Sequence, residues 1–250
     1  MKKLLSTAIA TALTATGLLA TSATLNTAAA EVSFNAGVMS QYIFRGVTQR
    51  DSASINGGID YEHKSGLYAG LWAAQVGTEV NPTGHFGGPS SSSMGWEYDI
   101  YGGYNTSFGD LGLGAGFTSY QYTNKITSSK AGFDTQYNEL NFEASYGPFT
   151  ATVNPGYREA NPGSGSKDAK YLFTSVKAEL AGFYGLYGYW DWDNNGPKDG
   201  SYLQAGYTTT LGGIDLDAAI VRSSKELNVV GAKAGIDEDT RMTISASKSF

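Results

Sequence analysis

The chain has 250 residues, with 33 Gly, 17 Tyr, 11 Phe, 4 Trp and no Cys, and a formal net charge of −6. The missing cysteine excludes a disulfide scaffold, a thiolate metal site and cysteine catalysis, and the acidic balance argues against nonspecific nucleic-acid binding. A mean hydropathy of −0.25 excludes a bundle of membrane helices; only two histidines, His63 and His85, are available to ligate a metal, and no cofactor is implied.

Lys2 and Lys3 open the chain, and from Leu4 to Ala30 there is no charge. Ala28-Ala29-Ala30 supplies the small-x-small pattern of a cleavage site just before Glu31. This is the layout of a secretory signal peptide over residues 1–30, cleaved after Ala30. Residues 31–250 are then the exported domain, and no segment in them is long and apolar enough for a spanning helix.

That domain alternates with period two. Val32, Phe34, Ala36, Val38, Tyr42 and Phe44 share one parity, with Ser33, Asn35, Gly37 and Gln41 on the other. Ile55, Ile59 and Tyr61 alternate with Asn56, Asp60 and Glu62, and Trp96, Tyr98 and Ile100 with Glu97 and Asp99. The same pattern recurs at Leu111–Phe117, Leu140–Tyr146, Ile214–Ile220 and Met242–Phe250, and less cleanly near Leu67, Phe149, Leu172, Tyr184 and Leu203. Alternation puts one set on each face of a strand. It predicts about twelve strands, each near the ~9–11 residues that a tilted strand needs to cross a bilayer.

The links set the topology. Short turns fall at Lys64–Gly66, Ser107–Asp110, Tyr146–Pro148, Ala181–Phe183 and Leu211–Gly213. Longer links fall at Gly77–Gly95, Thr123–Thr135, Arg158–Ala169, Asp193–Gly200 and Ser223–Asp239. Strict short–long alternation is expected of an all-β, transmembrane antiparallel up-and-down β-barrel, with tight periplasmic turns and longer external loops. A soluble β-sandwich also alternates. Two features weigh against it. Tyr42, Phe44, Tyr61, Trp72, Trp96, Tyr120, Tyr122, Tyr189 and Trp190 fall near strand ends, as interfacial aromatics do. The sequence also ends on Phe250 in an apolar-parity strand, resembling the terminal strand that outer-membrane proteins offer to the barrel-assembly machinery. Val32, Phe34, Ile100, Leu113, Phe142 and Ile244 are predicted to face the lipid bilayer of a bacterial outer membrane.

The run Asn35-Ala36-Gly37-Val38-Met39-Ser40-Gln41-Tyr42-Ile43-Phe44-Arg45-Gly46-Val47-Thr48-Gln49 resembles the opening signature of the TorF-family porins, the Gcw_chp family. Gly58–His63, Ser65–Trp72 and Glu97–Tyr104 continue the likeness. The resemblance implies an outer-membrane barrel with pore activity and carries no substrate and no further functional residue.

Polar-parity charges are the candidate pore lining. The acids are Asp60, Glu62, Glu97, Asp99, Glu139, Glu143, Glu179, Asp215 and Asp217; the bases are Arg45, Lys177 and Arg241. Carboxylates lining a lumen favour cations, so the expected function is passive diffusion of small hydrophilic solutes with a cation preference. The rival is a non-conducting barrel whose external loops bind a partner as an adhesin or surface receptor. Arg45, a base among acids, is expected to pair with Glu97 or Asp99 and lock the structure. Asp191-Trp192-Asp193-Asn194-Asn195-Gly196 begins like a calcium loop, but its twelfth position is Tyr202 where a bidentate Glu belongs, so a polar hairpin loop is the simpler reading. His85 beside Ser90–Ser93 lacks an orienting third group and an oxyanion site, so no enzyme is predicted. The second long loop, inside or outside the lumen, decides between constriction and display.

Overall fold

The computed structural model describes residues 30–77, 94–123, 136–160, 167–227 and 238–250. The leader, His85 and Ser90–Ser93 lie outside these residues. Twelve antiparallel strands close into a barrel. They are β1 (Ala30–Met39), β4 (Ser54–His63), β5 (Leu67–Val76), β6 (Gly95–Phe108), β7 (Leu111–Tyr122), β8 (Gln136–Tyr146), β9 (Phe149–Glu159), β10 (Ala169–Leu180), β11 (Phe183–Trp192), β12 (Gly200–Leu211), β13 (Ile214–Ser224) and β14 (Glu238–Ser249). Each pairs with its neighbours in sequence, and β1 closes the ring against β14 with Val38 opposite Ala246. Phe250 extends that seam, exchanging backbone hydrogen bonds with Phe34 at 2.8 and 3.2 Å. Closure removes the exposed edge that an open sheet would carry.

The alternation produces the two faces. Val32, Phe34, Ile100, Leu113, Phe142 and Ile244 are all exposed on the outside, as a lipid-facing band requires. Asp60, Glu62, Glu97, Asp99, Glu139, Glu143, Lys177, Glu179, Asp215, Asp217 and Arg241 all stand on the opposite, inward parity of their strands.

The first strand departs from the sequence reading. The wall ends at Met39, and the chain turns into the barrel as a hairpin of β2 (Tyr42–Phe44) and β3 (Val47–Arg50). Tyr42, Ile43, Phe44, Arg45, Gly46, Thr48, Gln49 and Arg50 are all buried. Burying apolar side chains such as Ile43 and Phe44 is worth on the order of 2 kcal/mol each, and the barrel interior offers them aromatic partners that solvent does not. Six of the nine aromatics expected at the membrane interface, namely Tyr42, Phe44, Trp72, Tyr120, Tyr122 and Trp190, instead pack inside around this hairpin. Tyr61, Trp96 and Tyr189 remain exposed outside.

The hairpin turns on Arg45 and Gly46, both left-handed with φ of 48° and 80°, as a two-residue primed turn requires. A Cβ at Gly46 would lie 2.7 Å from the Tyr202 side chain. Gly147 has φ of 58° with nothing within 4 Å of its would-be Cβ. Gly46→Ala is therefore expected to lower stability by roughly 1–3 kcal/mol more than Gly147→Ala, since only the former adds a clash inside a packed interior. Exchange of the Trp190 indole N–H, which is bonded to the Arg45 carbonyl, checks this in the two variants; equal exchange would mean that the hairpin is not seated against Tyr202.

Candidate functional site

The interior divides into two halves. Toward the long loops it is a packed aromatic core; toward the short turns it is looser, with Asp60, Lys177, Tyr184 and Asp217 buried but other inward side chains exposed. Inward Asn105, Glu143 and Thr210 are exposed to the lower lumen, and β7 lines it with Gly112, Gly114 and Gly116. The hairpin fills the upper half and reaches across it. Tyr42 donates its hydroxyl to Glu97 Oε1 at 3.0 Å on β6 and packs edge-on against Trp72 of β5. Phe44 packs on Tyr120 and Trp190 at centroid distances of 5.4 and 6.4 Å. Trp190 Nε1 donates to the Arg45 carbonyl at 3.0 Å, and Ser223 Oγ to the Gly46 carbonyl at 2.6 Å. The Gly77 amide donates to the Gln49 carbonyl at 2.8 Å, tying the hairpin to the wall again at the rim.

Arg45 sits at the tip. Its partner is Glu139 on β8, not Glu97 or Asp99 as expected from the sequence. The reason is geometric: a strand continuing upward would have kept Arg45 near β6, whereas the inward turn carries it across the lumen. The contact is a two-pronged fork, Nη1 to Oε2 at 2.8 Å and Nη2 to Oε1 at 2.7 Å. Tyr120, Asn141 and Asn154 also donate to Glu139 Oε1, and Tyr171 donates to Oε2. The guanidinium lies over the rings of Phe173, Phe44 and Trp190, at 4.1, 4.8 and 5.5 Å from their centroids. Both partners are almost fully buried, so this is a charge-assisted pair in a dry interior rather than a surface salt bridge.

The other predicted charges fall into two groups. Glu97 and Asp99 are buried in the upper core. Lower down, Asp60 accepts from Asn35 and Tyr101; Lys177 pairs with Glu179 at 2.6 Å; Asp215 accepts from Thr210 at 2.6 Å. Arg241 pairs with Asp239, Asp217 is buried, and Glu62 and Glu143 reach the lower lumen. Two interior bases escaped the parity count. Arg50 on the hairpin donates to the carbonyls of Ala53 and Gly77, and Arg158 on β9 to those of Lys167 and Asn195. Arg158 was legible, since it shares the inward parity of Thr152 and Asn154; Arg50 became interior only through the hairpin.

The family Gcw_chp, described as a bacterial protein of unknown function, matches residues 23–250. The chain belongs to the Gcw_chp family. Among solved structures this Gcw_chp chain is similar to the KdgM porin, with a TM-score of 0.51, 8% identity, and coverage of 87% of this chain and 99% of that one. At that identity the likeness shows a shared outer-membrane barrel fold and nothing finer. Outer membrane phospholipase A from Escherichia coli aligns over 86% of this chain and 89% of its own, with a TM-score of 0.48 and 12% identity. Among curated proteins, β-galactosidase of Aspergillus niger is 39% identical over 67 residues, 27% of this chain. The Gcw_chp chain spans only 6% of that enzyme's length, so none of the enzyme's activity comes with the match.

The segment resembling a calcium loop has a different job. Asp193 accepts the amides of Lys170 and Asn195 at 2.9 and 3.0 Å, which holds its carboxyl below the usual range. Asp168 is lowered likewise, by the Tyr157 hydroxyl and then the Ala160 amide. A carboxylate lowered on folding stabilises above its ordinary value and loses that contribution as pH falls through the folded one. These two loop turns are therefore expected to keep their amide hydrogen-exchange protection, corrected for intrinsic rates, through mild acid. Loss is expected only below the ordinary Asp value of 3.8; loss near neutrality would show that other groups hold the turns.

Proposed function

We propose that this chain is a porin-like channel of the bacterial outer membrane, as the TorF resemblance implies, closed at its external half by the inward hairpin. Its solutes are small and hydrophilic, with a leaning to cations. Residues 1–30 act as an export leader cleaved after Ala30, and the strand ends opposite the short turns lie on the external side. The observation that carries this reading is the division of the lumen: a looser polar lower half, with Glu143 exposed in it, ends on a hairpin held largely by side chains rather than woven into the wall. A barrel built only as a scaffold would need no such division. The hairpin seals by packing, and its displacement opens a path past Glu97, Asp99 and Glu139 that raises local cation concentration. Solute passage is passive, and no cofactor or catalytic step enters. Carriage to the membrane runs through the barrel-assembly machinery, with Phe250 as part of the presented strand.

The non-conducting rival draws on one observation, the filled upper half. Proteoliposome swelling separates the two. A variant with residues 42–50 replaced by a short Gly-Ser segment is expected to admit small sugars and amino acids readily, and the wild type to admit them far more slowly. A folded variant that admits nothing would overturn the channel reading.

A further inference from the structure

We propose that the pocket around Glu139 is a receptor for guanidinium groups, that Arg45 is its tethered occupant, and that solutes bearing a guanidinium or amidinium group displace it. The second clause rests on the channel reading; the first does not.

The receptor is built on the wall. Glu139 is held by Tyr120, Asn141, Asn154 and Tyr171, which come from β7, β8, β9 and β10. None of these belongs to the hairpin, so the carboxylate keeps its position and orientation when Arg45 leaves. It offers both oxygens side by side to a planar fork, as the contacts of 2.7 and 2.8 Å show. Phe173 and Trp190, also wall residues, supply the faces on which the plane stacks. Two-pronged pairing and ring stacking favour a guanidinium over an ammonium, which is a compact and strongly hydrated point charge.

A second observation points to a cationic ligand. Glu97 and Asp99 are buried in the same core, and among the described residues Glu97 Oε2 and Asp99 Oδ1 have no hydrogen-bond partner. Arg45 thus compensates Glu139 directly, while Glu97, met by Tyr42, and Asp99 keep acceptor oxygens that a buried cationic donor would satisfy. A solute with a second cationic group would satisfy what Arg45 alone leaves unsatisfied. The tethered occupant is also imperfect, because Arg45 reaches the pocket from a left-handed backbone with φ of 48°. Arg45 is tethered on a hairpin that Trp190 and Ser223 also hold, so it competes above the ~millimolar effective concentration of a short flexible linker, and a free guanidinium solute opens the wild type reversibly only above millimolar levels.

The test uses the refolded barrel and methylguanidinium against methylammonium, both far below denaturing levels. Tryptophan fluorescence and melting temperature are followed. Arg45→Ala is expected to bind methylguanidinium at least about ten-fold tighter than methylammonium and to gain melting temperature from it alone. The wild type should respond more weakly because its pocket is occupied, and adding Glu139→Gln to Arg45→Ala should erase the difference. If Arg45→Ala refolds poorly, its refolding yield in the two cations gives the same comparison. Equal responses to the two cations, or a guanidinium preference that survives Glu139→Gln, would overturn the receptor. In planar bilayers, methylguanidinium should raise wild-type current; binding without any current change would overturn the displacement step. Silence of the hairpin-replaced variant too would count against the channel reading instead.

Discussion

Glu139→Gln is expected to destabilise the closed hairpin by about 3–5 kcal/mol, because it leaves the Arg45 guanidinium buried without a counter-charge. Arg45→Ala is expected to cost less. Glu139 keeps four other donors, from Tyr120, Asn141, Asn154 and Tyr171, whereas among the described residues the Arg45 guanidinium donates to Glu139 alone. The double variant should lose less than the two singles together, since the partners share one interaction. The barrel wall is a separate hydrogen-bonded ring, so a global melt would understate the effect. Exchange of the Trp190 indole N–H, bonded to the Arg45 carbonyl, reports hairpin opening directly. Additive singles, or a Glu139→Gln variant with wild-type exchange, would mean that the fork does not latch the hairpin.

The second large effect concerns ions. With the hairpin replaced, the open lumen is expected to prefer cations, and the preference should weaken as the Debye length falls from ~10 Å at 0.1 M salt to ~3 Å at 1 M. Replacing Glu97, Asp99 and Glu143 together by amides should move the reversal potential in a salt gradient toward zero. In the wild type Glu97 and Asp99 are buried under the hairpin, so there the same changes should alter closure more than selectivity. Clear anion preference in the open variant would overturn the charge argument.

The wall was legible in the sequence because a strand's two faces follow a fixed period, and because turns and loops alternate strictly in length. The inward hairpin was not. Tyr42 and Phe44 continue the parity of Val32–Val38, and periodicity cannot tell a strand that rises from one that turns inside. The available signal was Arg45-Gly46 between two short apolar-polar runs, the size of a two-residue turn. Trp72, Tyr120, Tyr122 and Trp190 teach the related lesson. Their position near strand ends suggested interfacial aromatics, but their parity was inward, and parity decided. Arg45 was singled out as a base that pairs with an inward acid, and it pairs with Glu139. Its partner depended on a crossing of the lumen that no local pattern encodes.

Single-channel conductance in planar bilayers, comparing the wild type with the variant whose residues 42–50 are replaced by a Gly-Ser segment, shows whether the inward hairpin closes the barrel. The wild type is expected to be closed for most of the record and the variant to show large, steady openings. Equal, steady conductance from both would contradict this, because the hairpin would then not be what closes the barrel.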